Sequence, residues 1–142
     1  MKLVLDASTA LAWCITRANP SEAASAQESF IFVSRNRAFV PALWYSEVLN
    51  TLLVFERANR LTSQNSASFL ADLATLWIDQ DTLSASQSQQ GILAAARAHH
   101  LSAYDATYLE LAIRTASTLA TFDRKLAEAA RTAGVLVFGD TP

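Results

Sequence analysis

In Lys2-Leu3-Val4-Leu5-Asp6-Ala7-Ser8 the uninterrupted apolar run Leu3-Val4-Leu5 ends on an acid and passes into a small polar turn. A run this short, with no polar alternation, reads as a strand covered on both faces, as in parallel α/β sheets. Right-handed crossovers bring the C-terminal ends of such strands to one edge, where ligands bind. Asp6 is therefore expected at that edge. Glu47 sits just inside an apolar helix that follows Phe39-Val40-Pro41, Asp105 opens a helix expected over 103–114, and Asp123 closes Thr118-Leu119-Ala120-Thr121-Phe122. Four carboxylates gathered at one edge repel one another unless a hard divalent cation neutralises them. The sequence thus reads first as a Mg²⁺- or Mn²⁺-dependent enzyme.

Outward from that first strand, Asp6-Ala7-Ser8 turns the chain into a helix through Trp13. Asn19-Pro20-Ser21-Glu22 starts another, with a cap, a proline at the first helical position and Glu three after the cap; it should run to about Phe30. Phe39-Val40 is the next strand. Trp44, Val48, Leu49, Leu52, Leu53 and Phe55 recur with helical spacing over 43–59, an apolar face too broad for one packing surface. A helix over 63–76 should fold back on it, and Trp77-Ile78 is a short strand. Ser84 and Gln87 form a capping box for a helix to about His99. A helix follows Ser102, then a strand over 118–121, a helix over 124–133 ended by Gly134, and a last strand over 135–138. Strands alternating with helices make an α/β three-layer sandwich.

At 142 residues, 51% hydrophobic and 17% charged with only three Gly and three Pro, the chain is one globular domain over 1–142. Its single cysteine, Cys14, builds no disulfide framework and packs like a small hydrophobe. No stretch approaches the ~20 apolar residues of a membrane span. Asp6 breaks the first apolar run too early for a signal peptide, so a cytoplasmic protein is expected. The net charge of −2 argues against a standing nucleic-acid clamp. It does not exclude a nuclease, because bound cations would cancel the charge of the acidic pocket.

Each acid also has a purely structural account. Asp6 and Asp123 would cap the helices that follow them, Asp105 has capping-box spacing from Ser102, and Glu47 gains from a helix dipole. The conjunction favours a site. Ser8 is two residues from Asp6 and Thr121 two from Asp123, so each pair shares a face of extended chain. Asn50 lies one turn beyond Glu47. A ring of oxygen donors without His or Cys suits Mg²⁺ or Mn²⁺ and argues against zinc.

Four blocks in order carry a resemblance: Leu3-Val4-Leu5-Asp6-Ala7-Ser8, Pro41 with Glu47-Val48-Leu49-Asn50, Leu101-Ser102-Ala103-Tyr104-Asp105-Ala106, and Thr121-Phe122-Asp123-Arg124-Lys125-Leu126. The chain resembles a PIN domain, most closely a VapC-type toxin of a bacterial toxin–antitoxin pair. The resemblance implies a five-stranded parallel sheet flanked by helices, with metal-binding acids at Asp6, Glu47, Asp105 and Asp123. Ser8, Thr121 and Asn50 match its supporting polar positions. It implies an endoribonuclease that cuts single-stranded or looped RNA, usually as a homodimer. A cognate antitoxin would reach the acidic pocket, and DNA would be met only through that antitoxin. The expected mechanism is attack by water on phosphorus, leaving a 5′-phosphate and a 3′-hydroxyl. Asp6, Asp105 and Asp123 would hold the ion; Glu47 would orient or deprotonate the water, or bind a second ion.

Alternatives remain at this level: a PIN module that has lost turnover and only binds an antitoxin, or an RNA-processing PIN nuclease without one. A haloacid-dehalogenase-type phosphatase would need an acid where Ser8 stands. A receiver domain would need an acidic pair and a late lysine after a strand, whereas Lys125 falls inside a helix. Arg124 and Lys125 are candidates for RNA phosphates, with Arg17, Arg35 and Arg37 at the entrance. His99-His100 reads as a helix end. Trp13, Trp44 and Trp77 are expected in the core or a dimer interface.

Overall fold

The computed structural model describes residues 1–141. Its elements are β1 (Leu3–Leu5), α1 (Ala7–Leu11), α2 (Pro20–Arg35), β2 (Ala38–Val40), α3 (Leu43–Arg57), α4 (Ser63–Leu73), β3 (Ile78–Gln80), α5 (Ala85–His99), α6 (Ala103–Arg114), β4 (Thr118–Ala120) and α7 (Arg124–Thr132). The sheet runs β3-β2-β1-β4 with every pairing parallel, and helices flank it. Leu3, Val4 and Leu5 are all 0% exposed, as a central strand covered on both faces requires. Each contributes about 1.5–3 kcal/mol by burial, so the apolar run that defines β1 also anchors the core.

Among the described residues the sheet has four strands, not five. Residues 135–138 touch the edge through one parallel bridge, Leu119 to Val137, with Leu119 N donating to Leu136 O and Phe138 N to Leu119 O. Val135 and Val137 point inward while Leu136 is exposed, so the alternation of a strand is present. The chain then turns at Gly139 (φ 94°), and the Arg131–Asp140 ion pair draws the next residue towards α7. The pairing ends before a ladder can form.

Local chemistry sets the helix ends. Asn19 Oδ1 accepts from Ser21 N and Glu22 N, and α2 continues to Arg35, beyond the expected stop at Phe30, because Val33 still reaches the core. Thr62 with Asn65, and Ser84 with Gln87, form reciprocal capping boxes. α3, α6 and α7 end in Schellman motifs with a left-handed residue at Asn59, Ala116 and Gly134. The outer bonds are Arg60 N to Phe55 O, Ser117 N to Ala112 O and Val135 N to Ala130 O.

On α3, Trp44, Val48 and Leu52 are buried, while Tyr45, Leu49, Leu53 and Val54 are exposed. The apolar face is thus wider than its packing surface, as the sequence spacing indicates. Of the tryptophans, Trp13 donates to Ala26 O and Ser29 Oγ, and Trp44 is buried. Trp77 is exposed rather than in the core, with Arg37 stacked on its ring 4.0 Å from the centroid. Among the described residues, no helix is long and apolar enough to cross a membrane.

Candidate functional site

From β1 the chain steps one way to β2 and β3, while β4 lies on the other side. The crevice at such a change of direction is where open α/β sheets bind ligands. Asp6 leaves β1 at that point, and its backbone N–H donates to Ala120 O at the end of β4 (3.0 Å). Asp6 is 6% exposed and does not cap α1. Instead its Oδ2 accepts from Ser8 Oγ and Thr121 Oγ1, each at 2.6 Å. Those hydroxyls in turn accept from Phe122 N and Asp123 N, both at 3.0 Å. Ser8 and Thr121 therefore tie the β4–α7 turn to Asp6, and leave Oδ1 as the oxygen free for a ligand.

The other acids arrive from three helices. Asp123 caps α7, its Oδ1 accepting from Leu126 N (2.9 Å), so it carries both its structural task and its place in the cleft. Asp105 N donates to Ser102 Oγ (3.1 Å), but the cap is not reciprocal, and the Asp105 carboxylate stays available. Glu47 Oε1 accepts from Tyr108 Oη at 2.5 Å. Asp6, Glu47, Asp105 and Asp123 line a single cleft of about 710 Å³, together with Ser8, Thr51, Arg17 and Arg60.

The electrostatics are those of crowded acids. Burial pushes the Asp6 carboxyl up, against the two hydroxyl bonds, and Asp105 and Asp123 add to the rise. Burial also raises Glu47, opposed by Tyr108 and reinforced by Asp6 and Asp105. Asp105 is raised by burial and then by Asp123, with Ser102 and Lys125 pulling the other way. Among the described residues no three such side chains form a ready-made metal cage. The donor set nevertheless fits a hard cation. It is all oxygen, one oxygen of Asp6 is uncommitted, and three of the four acids resist ionisation without a positive charge among them.

Not every supporting residue enters this cleft. Asn50 is exposed, and the wall one turn after Glu47 is Thr51, since the helical repeat falls between three and four residues. Arg124 and Lys125 are exposed at the start of α7 and do not line the cleft. Arg17 lines it, whereas Arg37 pairs with Asp79 and Arg35 ends α2. Sequence reading passed over Tyr108, whose hydroxyl interrupts the apolar face Ala106-Leu109-Ala112 one turn after Asp105. It also passed over Arg60, just beyond the expected helix end.

No curated protein matches the chain. Its fold is similar to the crystal structure of PAE2754 from Pyrobaculum aerophilum, with a TM-score of 0.69 and 21% identity over 97% of this chain and 84% of that one. It is also similar to FitAcB from Neisseria gonorrhoeae, with a TM-score of 0.61 and 17% identity over 96% of each. The PIN domain family model matches residues 3–132, a span that holds every acid of the cleft, and the chain belongs to the PIN domain family.

Proposed function

We propose that this protein is a Mg²⁺- or Mn²⁺-dependent endoribonuclease of the toxin type, restrained by a cognate antitoxin. PIN domains are generally metal-dependent nucleases. The observation that carries the reading is the convergence of Asp6, Glu47, Asp105 and Asp123 on one cleft at the end of the central strand. Carboxylates crowded in this way raise one another's pKa, a repulsion that a bound cation would relieve.

Asp6, Asp105 and Asp123 would hold the cation, with Glu47 beside them. Bound there, the metal would supply Lewis-acid polarisation of a phosphoryl oxygen and acidify a water. Ser8 and Thr121 fix the Asp6 carboxylate by two hydrogen bonds to one oxygen, so its other oxygen is presented in one orientation. Tyr108 holds Glu47 through Oε1, leaving Oε2 to orient the attacking water or take its proton. In-line attack by water leaves a 5′-phosphate and a 3′-hydroxyl.

Tyr45, Leu49 and Leu53, each four residues apart, form an exposed apolar strip on α3, the surface on which a second copy or the antitoxin would pack. A monomeric mass at micromolar concentration would remove the homodimer from this reading.

The test is incubation of antitoxin-free protein with total cellular RNA in Mg²⁺ or Mn²⁺, with new 5′ ends mapped by sequencing beside Asp6→Asn and EDTA controls. Discrete metal-dependent ends that vanish in Asp6→Asn are expected. Folded, Mn²⁺-binding protein that yields no new ends would instead describe a binding module without turnover.

A further inference from the structure

Among the residues of the acidic cleft, two are cations, and they differ in one respect. Arg17 is spent on Glu22: its Nε and Nη2 both lie 2.7 Å from Glu22 Oε2, and it stacks on Phe122, 4.9 Å from the ring centroid. Arg60 has no carboxylate partner among the described residues. Its guanidinium carbon lies 4.7 Å from the centroid of Phe55, and both residues line the cleft.

The end of α3 fixes this stack. Asn59 takes the left-handed conformation (φ 56°), Arg60 N donates to Phe55 O at 2.9 Å, and Asn59 N donates to Glu56 O at 3.0 Å. In a Schellman end those two positions normally make an apolar contact. Here a guanidinium takes the place of the apolar partner. Lying on a ring, it keeps its in-plane N–H donors unspent, while the backbone turn holds it in position.

We propose that Arg60, mounted on Phe55, grips a phosphate neighbouring the scissile one in single-stranded RNA. This inference rests on the nuclease reading of the same cleft. The acids, with their cation, would serve the scissile phosphate. A flanking phosphate meets carboxylates on the cleft floor and an arginine already neutralised by Glu22. Arg60 is the remaining positive charge on the wall, and its planar fork matches phosphate oxygens.

The experiment measures binding of a short, mixed-sequence, fluorescently labelled single-stranded RNA across a salt series, in an Asp6→Asn background that prevents turnover. Arg60→Gln is compared with Arg57→Gln, which removes the same charge from the exposed last turn of α3 outside the cleft. Arg60→Gln should weaken binding about fivefold at low salt and flatten the log K against log[salt] slope by about 0.7, the share of one phosphate contact on a single strand. Arg57→Gln should leave the slope in place. Phe55→Leu, which keeps the charge and removes its platform, should fall between. In otherwise wild-type protein, Arg60→Gln should raise KM with kcat little changed. The Mn²⁺-induced rise in melting temperature should persist, showing that fold and acids are intact.

A slope for Arg60→Gln equal to that of Arg57→Gln would overturn the proposal and leave Arg60 as the closing piece of a helix end. If RNA is cut and Arg60→Gln is silent, the grip fails alone. If RNA is held through Arg60 but never cut in Mn²⁺, the nuclease reading fails, and only a phosphate grip by Arg60 with no scissile neighbour stands.

Discussion

Tyr108 Oη donates to Glu47 Oε1 at 2.5 Å from a side chain that is 0% exposed, so α6 holds an acid carried by α3. The hydroxyl is a poor acid there: burial comes first, then the nearby Asp6 and Glu47 carboxylates, and together they push it far above the ordinary tyrosine range. It therefore acts as a fixed donor.

Tyr108→Phe keeps the ring and deletes that donor. A hydrogen bond to a charged group contributes about 1.5–3 kcal/mol, so kcat should fall by about ten- to a hundredfold if Glu47 works in the reaction as proposed. In a Glu47→Gln background the same substitution should cost much less, because the two residues act as one unit. Additive losses in steady-state kinetics of the double mutant would place Tyr108 outside the reaction.

Thr121 and Ser8 make a second specific demand. Thr121→Val removes one of two donors to Asp6 Oδ2 and leaves Asp123 N, part of the turn into α7, without its acceptor. The cost to stability should be about 1–3 kcal/mol, read from urea unfolding, with a weaker affinity for Mn²⁺ in calorimetric titration. Thr121→Ser, which keeps the hydroxyl, should restore metal affinity. A valine variant that binds Mn²⁺ as wild type does would show that Asp6 needs no such anchor.

Much of this was legible in the sequence, for definite reasons. Leu3-Val4-Leu5 announces a strand covered on both faces because no polar residue interrupts it, and Ser84 with Gln87 announces a helix start because the cap is made within one turn. The edge at residues 135–138 was misread as a full strand, since its alternation is real and only the turn at Gly139 limits the pairing. Asn50 looked like a partner of Glu47 because a spacing of three residues places it near the same face; the actual wall is Thr51. The caps separate in the same way. Asp123 does cap a helix, whereas Asp6 is claimed by the hydroxyls of nearby Ser8 and distant Thr121, and the Thr121 bond is one that no local pattern records.

Ala116 offers a check on the fold itself. It ends α6 in the left-handed region (φ 51°) on the protein surface, where an L-residue with a Cβ costs about 1–2 kcal/mol. Glycine relieves that strain and gives back about 0.5–1 kcal/mol in chain entropy. Ala116→Gly should therefore stabilise by about 0.5–1 kcal/mol, a rise of about 1–4 °C in melting temperature for a domain of this size. A melting point that falls would contradict the Schellman end assigned to α6.

The crowded acids make the metal-free protein respond to pH in an unusual direction. Burial and mutual repulsion raise Asp6, Glu47 and Asp105 above their ordinary values of 3.8, 4.5 and 3.8. A raised carboxyl binds its proton more tightly in the folded than in the unfolded chain. Its stabilising contribution is thus full below the ordinary value and lost as pH rises through the raised one. Asp140, lowered by Arg131, works the other way, and its contribution disappears only as pH falls below about 3.8. In EDTA, the melting temperature should therefore decline from mildly acidic pH towards neutrality. Asp105→Asn should flatten that decline and leave the apo protein as stable or stabler at neutral pH. Asp123→Asn should do no worse, since Asn caps a helix as well as Asp does. Mn²⁺ at about a hundred times its Kd should add about 2.7 kcal/mol at neutral pH, reversing the decline in wild type and doing less in either variant. Scanning calorimetry with and without Mn²⁺ reads all of this directly. An apo curve that climbs steadily to neutral pH, or a wild type indifferent to millimolar Mn²⁺, would mean that these carboxylates do not share a cation.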